Sequence, residues 1–131
     1  MRADSHARGE VHVAFDPLPA DDPVISRMRV TRTYTGDLAG TGTGQVLSVA
    51  TAIEGSAAYL CLERVDAELH GRRGTFLLQH CGRIDRGRRS LTVTVVPDSG
   101  TEDLLGLRGE LSLEDLGARH RYTFDFSLRT G

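Results

Sequence analysis

The sequence contains no lysine and no tryptophan, and only two cysteines and four prolines, in 131 residues. Each shortage closes off a class of protein. Without lysine, all fixed positive charge is arginine, and sixteen basic residues face eighteen acidic ones for a net charge of −2. That balance lacks the basic excess of a nucleic-acid binder. The two arginine clusters, "GRR" at Gly71–Arg73 and "RGRR" at Arg86–Arg89, fall in expected turns and read as solvated hairpin tips. Three tyrosines and four phenylalanines supply too few rings for a surface that stacks single-stranded bases. Cys61 and Cys81 have no spacing that suggests zinc or a redox pair, so reduced thiols and no cofactor are expected. The first twenty residues hold no apolar signal core, and no run approaches a membrane span. The expectation is a soluble, cytoplasmic protein with neither nucleic acid nor membrane as partner.

Helix signals are weak as well. What is present is glycine (fifteen residues), runs of β-branched residues and recurrent apolar–polar alternation. The pattern predicts eight strands, at about 10–15, 24–36, 43–52, 57–69, 75–84, 90–96, 106–114 and 119–129. Short turn-rich linkers such as "TGDLAG", "GRRG", "PDSG" and "DLGA" separate them. Residues 1–8 read as a flexible tail, and 9–131 as a single domain. Eight antiparallel strands in succession with one apolar face predict an up-and-down β-barrel, with a two-sheet sandwich as the alternative. A barrel of eight strands is either filled by side chains or holds one small ligand. The many Gly, Ala, Ser and Cys residues on inward faces favour space inside.

Register fixes which residues face inward, because a slip of one residue inverts both faces. Folding "YLCLERVDAELHGRRGTFLLQHCG" at Arg72-Arg73 sets Leu69 opposite Phe76, Ala67 opposite Leu78 and Val65 opposite His80. Tyr59, Cys61 and Glu63 continue that inward face, while Arg64, Asp66, Glu68 and Gln79 point out. Leu77 and Cys81 also fall outside, where this register offers Leu77 no apolar cover. Folding the C-terminal hairpin at Leu116-Gly117 collects Leu107, Leu111, Leu113, His120, Tyr122, Phe124 and Phe126 inside. It also pairs Glu114 with Arg119, Ser112 with Arg121 and Arg108 with Asp125 outside. Val11, Val13 and Phe15 share an inward face, as do Leu91, Val93 and Val95. Val24, Met28 and Val30 do so too, with Ser26, Arg32 and Tyr34 on the same side. Gly40, Gly42 and Gly44 leave a bare backbone across which Arg32 and Tyr34 can lie.

Four stretches carry a family resemblance: "TYTGDLAGTG", "LERVDAELHGRRGTFLLQHCG", "VVPDSGTEDLLGLRGE" and "HRYTFDFSL". From about Arg29 onward the chain resembles a family of small bacterial proteins known mainly as a domain of unknown function. That family is grouped by fold with the allene oxide cyclase-like barrels, near dirigent proteins and some bacterial polyketide cyclases. The resemblance implies an eight-stranded antiparallel barrel that often assembles into homo-oligomers. It implies chemistry only through the fold.

Glu63 is the most informative position. A carboxylate on an inward face must be paired, hydrogen-bonded or protonated. It reads either as a catalytic acid–base group or as a structural partner of Arg32 or His80. His80 is its expected neighbour, so the two form the candidate catalytic pair. Tyr34, Tyr59 and Tyr122 offer hydroxyls to the lumen, and Arg32, Met28, Cys61, Phe76 and Phe124 complete the candidate ligand-binding set. Cys61 reads as a small hydrophobe more readily than a nucleophile, since no base stands near it. One histidine and one carboxylate are too few for a metal. The expected partner is a small apolar molecule in the lumen. The expected activity is isomerisation or cyclisation of a flexible polyketide- or lipid-like substrate, held in a near-attack geometry. The alternatives are a non-catalytic carrier and a filled barrel whose outward Leu77 and Val96 make an oligomer.

Overall fold

In the computed structural model, which describes residues 5–115 and 120–128, eight antiparallel strands close into one barrel in sequence order. They are β1 (Ser5–Leu18), β2 (Ser26–Gly36), β3 (Leu38–Ala50), β4 (Ala57–Leu69), β5 (Arg72–Asp85), β6 (Arg88–Val95), β7 (Arg108–Asp115) and β8 (His120–Ser127). No helix among the described residues is long and apolar enough to cross a membrane. The period-2 pattern is cleanest in β4, where buried and exposed residues alternate without a break from Cys61 to Leu69.

The wall begins earlier than expected. Ser5–Arg8, read from sequence as part of a tail, belong to β1 and pair with β8 from Ser5↔Phe126 to Arg8↔Thr123. Closure supplies the reason: without this segment β8 would present an unpaired edge.

Two hairpin registers differ from those expected, each by an even step. The β4–β5 turn lies at His70-Gly71, not Arg72-Arg73. Both residues have positive φ (47° and 83°), as a two-residue type I′ turn requires. Val65 therefore opposes Phe76, Glu63 opposes Leu78, and Cys61 opposes His80. In the last hairpin Glu114 opposes Arg121, and Arg108 opposes Ser127 in place of Asp125. Asp125 instead accepts a hydrogen bond from His6 Nδ1 at 2.6 Å. The expected Leu116-Gly117 turn and the Glu114–Arg119 pair involve residues outside those described. Because both shifts are even, every inward residue keeps its face.

The two ends of the barrel differ. At one end Phe76 stacks on Phe124 (centroids 5.9 Å apart) and Phe124 on Phe126 (5.2 Å), while Tyr34 meets Tyr122 edge-on at 5.8 Å. The β6–β7 connection closes this end with the fully buried Leu104 and Leu107. Its "PDSGT" segment keeps the β5 wall satisfied where Pro97 cannot donate. Leu77 N donates to Ser99 Oγ and Thr75 N to Thr101 Oγ, each at 3.0 Å. At the opposite end, Val13, Met28, Tyr59, Ile84 and Leu113 point inward but are only half-buried. Phe15 and Leu91 share the inward face by register, yet stand 51% and 40% exposed at this rim. Val24, expected in a strand, lies in the β1–β2 loop. The wall itself thins between β6 and β7, where one matched pair, Thr94↔Glu110, stands beside a slot of about 180 Å3. The barrel thus has a packed end and an open end.

The Tyr122 hydroxyl pins the packed end. It accepts from Leu38 N at 2.9 Å, and its own proton faces the carbonyls of Thr35 (2.8 Å) and Leu38 (3.0 Å). Tyr122→Phe leaves the buried Leu38 amide without its acceptor. We expect a loss of about 1–3 kcal/mol of stability in urea unfolding at unchanged m-value; an unchanged midpoint would refute this role for the hydroxyl.

Candidate functional site

Glu63 sits on β4 with no exposed surface, between the packed end and the open end. Three side chains converge on its carboxylate. Arg32 Nη1 donates to Oε1 at 2.8 Å, His80 Nε2 lies 2.8 Å from the same oxygen, and the Tyr34 hydroxyl donates to Oε2 at 2.7 Å. Arg32 and Tyr34 come from β2, and His80 from β5.

The local sequence makes this convergence feasible. β3 runs between β2 and β4, so Arg32 must cross it to reach Glu63. Opposite Arg32 on β3 stands Gly42, where any Cβ would overlap the Glu63 carboxylate. The bare backbone expected at "GTGTG" therefore serves the meeting of β2 with Glu63. His80 opposes Cys61, one inward position from Glu63, so the expected neighbourhood of Glu63 and His80 survives as a diagonal contact.

The electrostatics follow from burial and these partners. Burial, the largest influence on Glu63, pushes its pKa up. The His80 hydrogen bond, the Arg32 charge and the Tyr34 hydrogen bond outweigh it and hold the carboxyl below the ordinary glutamate value. Glu63 is thus an ionised acceptor with both oxygens engaged. On Arg32, burial is the largest influence and works against the charge, but Glu63, Tyr34 and Cys61 together outweigh it and the pKa is raised. Burial and then the Glu63 charge push the Tyr34 phenol well above its usual value, so it remains a donor. The Cys61 thiol is pushed up by burial, with Arg32 opposing, which keeps it protonated.

The other expected site residues divide between the two ends. Cys61 adjoins Arg32 and packs with Val30 and Val46 in a small apolar layer, against which Met28 and Tyr59 lie half-buried toward the rim. Tyr59 lies across Gly82, where a Cβ would collide with its ring. Phe76 and Phe124 belong to the packed core, and the Tyr122 hydroxyl is committed to the β2–β3 turn, away from Glu63. Among the described residues no group of three or more His, Cys, Asp and Glu side chains is arranged to hold a metal.

The sequence matches a family model over residues 10–126. The chain belongs to the family described as "Protein of unknown function (DUF3224)". The DUF3224 match takes in β1 from Glu10 onward, ahead of Arg29, from about which the resemblance in the sequence runs. A crystal structure of a protein of unknown function from the DUF3224 family of Shewanella oneidensis MR-1 superposes with a TM-score of 0.93 at 33% identity, covering 97% of this chain and 98% of that one. No curated protein matches the sequence.

The lowered pKa of Glu63 ties stability to pH with a definite sign. A carboxylate whose folded pKa lies below its unfolded value contributes fully above the unfolded value, and the contribution is lost as pH falls through the folded value. The stability of the wild type against urea should therefore fall on acidification below the ordinary glutamate range. Glu63→Gln should lose that part of the pH dependence. At neutral pH it should be about 3–5 kcal/mol less stable, because Arg32 stays buried without its counter-charge. Parallel pH profiles for the two proteins would contradict the ion-pair account.

Proposed function

We propose that the barrel takes a small apolar molecule bearing a carbonyl group through its open end, and isomerises or cyclises it. The observation that carries the reading is a pair of buried atoms without hydrogen-bond partners among the described residues, Arg32 Nε and His80 Nδ1. Their residues are only 6% and 1% exposed. A buried polar atom left unpaired costs about 1–3 kcal/mol, and in a native fold it demands an account. A ligand oxygen at Arg32 Nε and a transferable proton near His80 Nδ1 provide one.

The division of labour follows from the hydrogen bonds. Ionised Glu63 can only accept, so His80 Nε2 carries the proton between them. In the neutral ring Nδ1 is then a lone pair able to take a proton. Glu63 is a positioning residue in this scheme. His80 removes a proton from the carbon beside the carbonyl, and the charge that develops on oxygen is held by Arg32. Returning the proton to another carbon gives an isomer. Closure of the carbanion on a second carbonyl of the same molecule, which then takes the proton, gives a ring. Either way the product has the mass of the substrate. The layer of Val30, Val46 and Cys61 lies between the rim and Arg32, with His80 opposite Cys61 at the same level, so the polar end of the ligand must part that layer while its apolar body rests on Met28 and Tyr59. The motifs resemble a family grouped by fold with the allene oxide cyclase-like barrels, which supports the same reaction class as an analogy of fold only.

A second reading, a non-catalytic carrier, is favoured by the saturation of Glu63. With both oxygens engaged and its pKa lowered, this carboxylate is a poor acid and a poor base.

Incubation of the protein with a small-molecule extract of its own host, followed by chromatography and mass spectrometry, separates the two. We expect a compound that changes retention at unchanged mass with the wild type, and that His80→Gln retains without converting. A compound held but unaltered by the wild type would establish the carrier. Neither conversion nor retention would remove both readings.

A further inference from the structure

The outer wall of β3, β4 and β5 bears a groove of about 700 Å3 that the lumen does not explain. Cys61 and His80 line it from within the wall, so it lies back to back with the Glu63 site. Its apolar part is a strip of four leucines, Leu47, Leu60, Leu62 and Leu77, exposed by 45%, 55%, 61% and 37%. Register sets their order. Leu47 opposes Leu60, Leu62 follows two residues along β4, and Leu77 opposes Arg64, the next outward residue after Leu62. The strip therefore runs diagonally across three strands, over roughly 16 Å at ~3.3 Å per residue and ~4.8 Å strand spacing. Arg27 opposes Leu47 at one end, and Arg64 flanks Leu77 at the other. Among the described residues, no acidic side chain lines the groove.

The charge and shape select the occupant. Arg27 donates to the Pro19 carbonyl (2.8 Å) and to Gln45 Oε1 (3.0 Å), both neutral, and Arg64 has no ion pair among the described residues. A second copy meeting this face with its own groove across a two-fold axis would bring the same arginines and no groove carboxylate. An extended peptide would find no free strand edge, because β3, β4 and β5 are each paired on both sides. We propose that the groove binds a chain-like amphipathic carboxylate, with its apolar body along the leucines and its carboxylate on Arg64. The site is independent of the lumen.

The test titrates decanoate into the protein by calorimetry, with decanol as the uncharged comparison. Decanoate should bind, decanol should bind more weakly, and Arg64→Gln should weaken decanoate by about tenfold or more. Leu62→Asp should abolish binding at unchanged melting temperature, since the residue is on the exposed face. The proposal is overturned if decanoate does not bind, or if its affinity survives Leu62→Asp and is lost in Tyr59→Ala, which would place it at the lumen mouth. It is equally overturned if the wild type sediments as a dimer that Leu62→Asp converts to a monomer, which would assign the groove to a second copy.

Discussion

A carboxylate with no exposed surface must be compensated where it stands, and the interior of this barrel is arranged around that requirement at Glu63. Taking such a charge out of water costs several kcal/mol, which attraction to a counter-ion repays only if the remaining lone pairs are also filled. Arg32 supplies the counter-charge, and His80 and Tyr34 fill the lone pairs. The four groups come from β2, β4 and β5, so the network ties together strands that are not all neighbours. It also constrains the strand between them. β3 can pass only because Gly42 places no side chain over the carboxylate.

The same network divides the barrel into two environments. Toward the packed end, rings and leucines fill the space, and the Tyr122 hydroxyl and the Leu104–Leu107 plug seal it. Toward the open end, inward side chains thin out to a half-buried apolar rim. Function in a small barrel belongs where the interior is not already filled, so the open end and the unpartnered atoms of Arg32 and His80 beneath it carry the functional reading. Packing also decides which groups are free to act. Glu63 and the Tyr122 hydroxyl are consumed by structure, whereas His80 and Arg32 each retain one uncommitted nitrogen.

The outer face tells a complementary story. Most outward positions are polar or charged, as a solvated wall requires, and the leucine strip on β3–β5 breaks the rule. The alternation that buries Cys61, Glu63, Leu78 and His80 forces Leu60, Leu62 and Leu77 outward. The interior therefore cannot account for these leucines, and their explanation must lie outside the barrel.

Alternation along the chain was enough to determine the all-β class, the eight strands and the inward face that holds Arg32, Tyr34, Glu63 and His80, and it left a barrel and a sandwich both open. Period 2 is a local property, and it survives any even error in pairing. That is why two hairpins whose strands pair an even number of residues away from the expected registers still presented the correct faces. The sequence also marked Leu77 as an outward residue without cover. What it could not determine was which inward residues touch. Partners across a turn depend on the turn conformation, and the positive φ of His70 is not written in the alternation. Contacts across the lumen depend on closure, which brings Ser5–Arg8 into the wall and carries Arg32 over Gly42 to Glu63. Such contacts join residues far apart in the chain, and only the closed three-dimensional path fixes their distances. Sequence therefore specified the faces of the strands, and tertiary structure decided which hydrogen bonds were already taken and which two nitrogens remained without a partner.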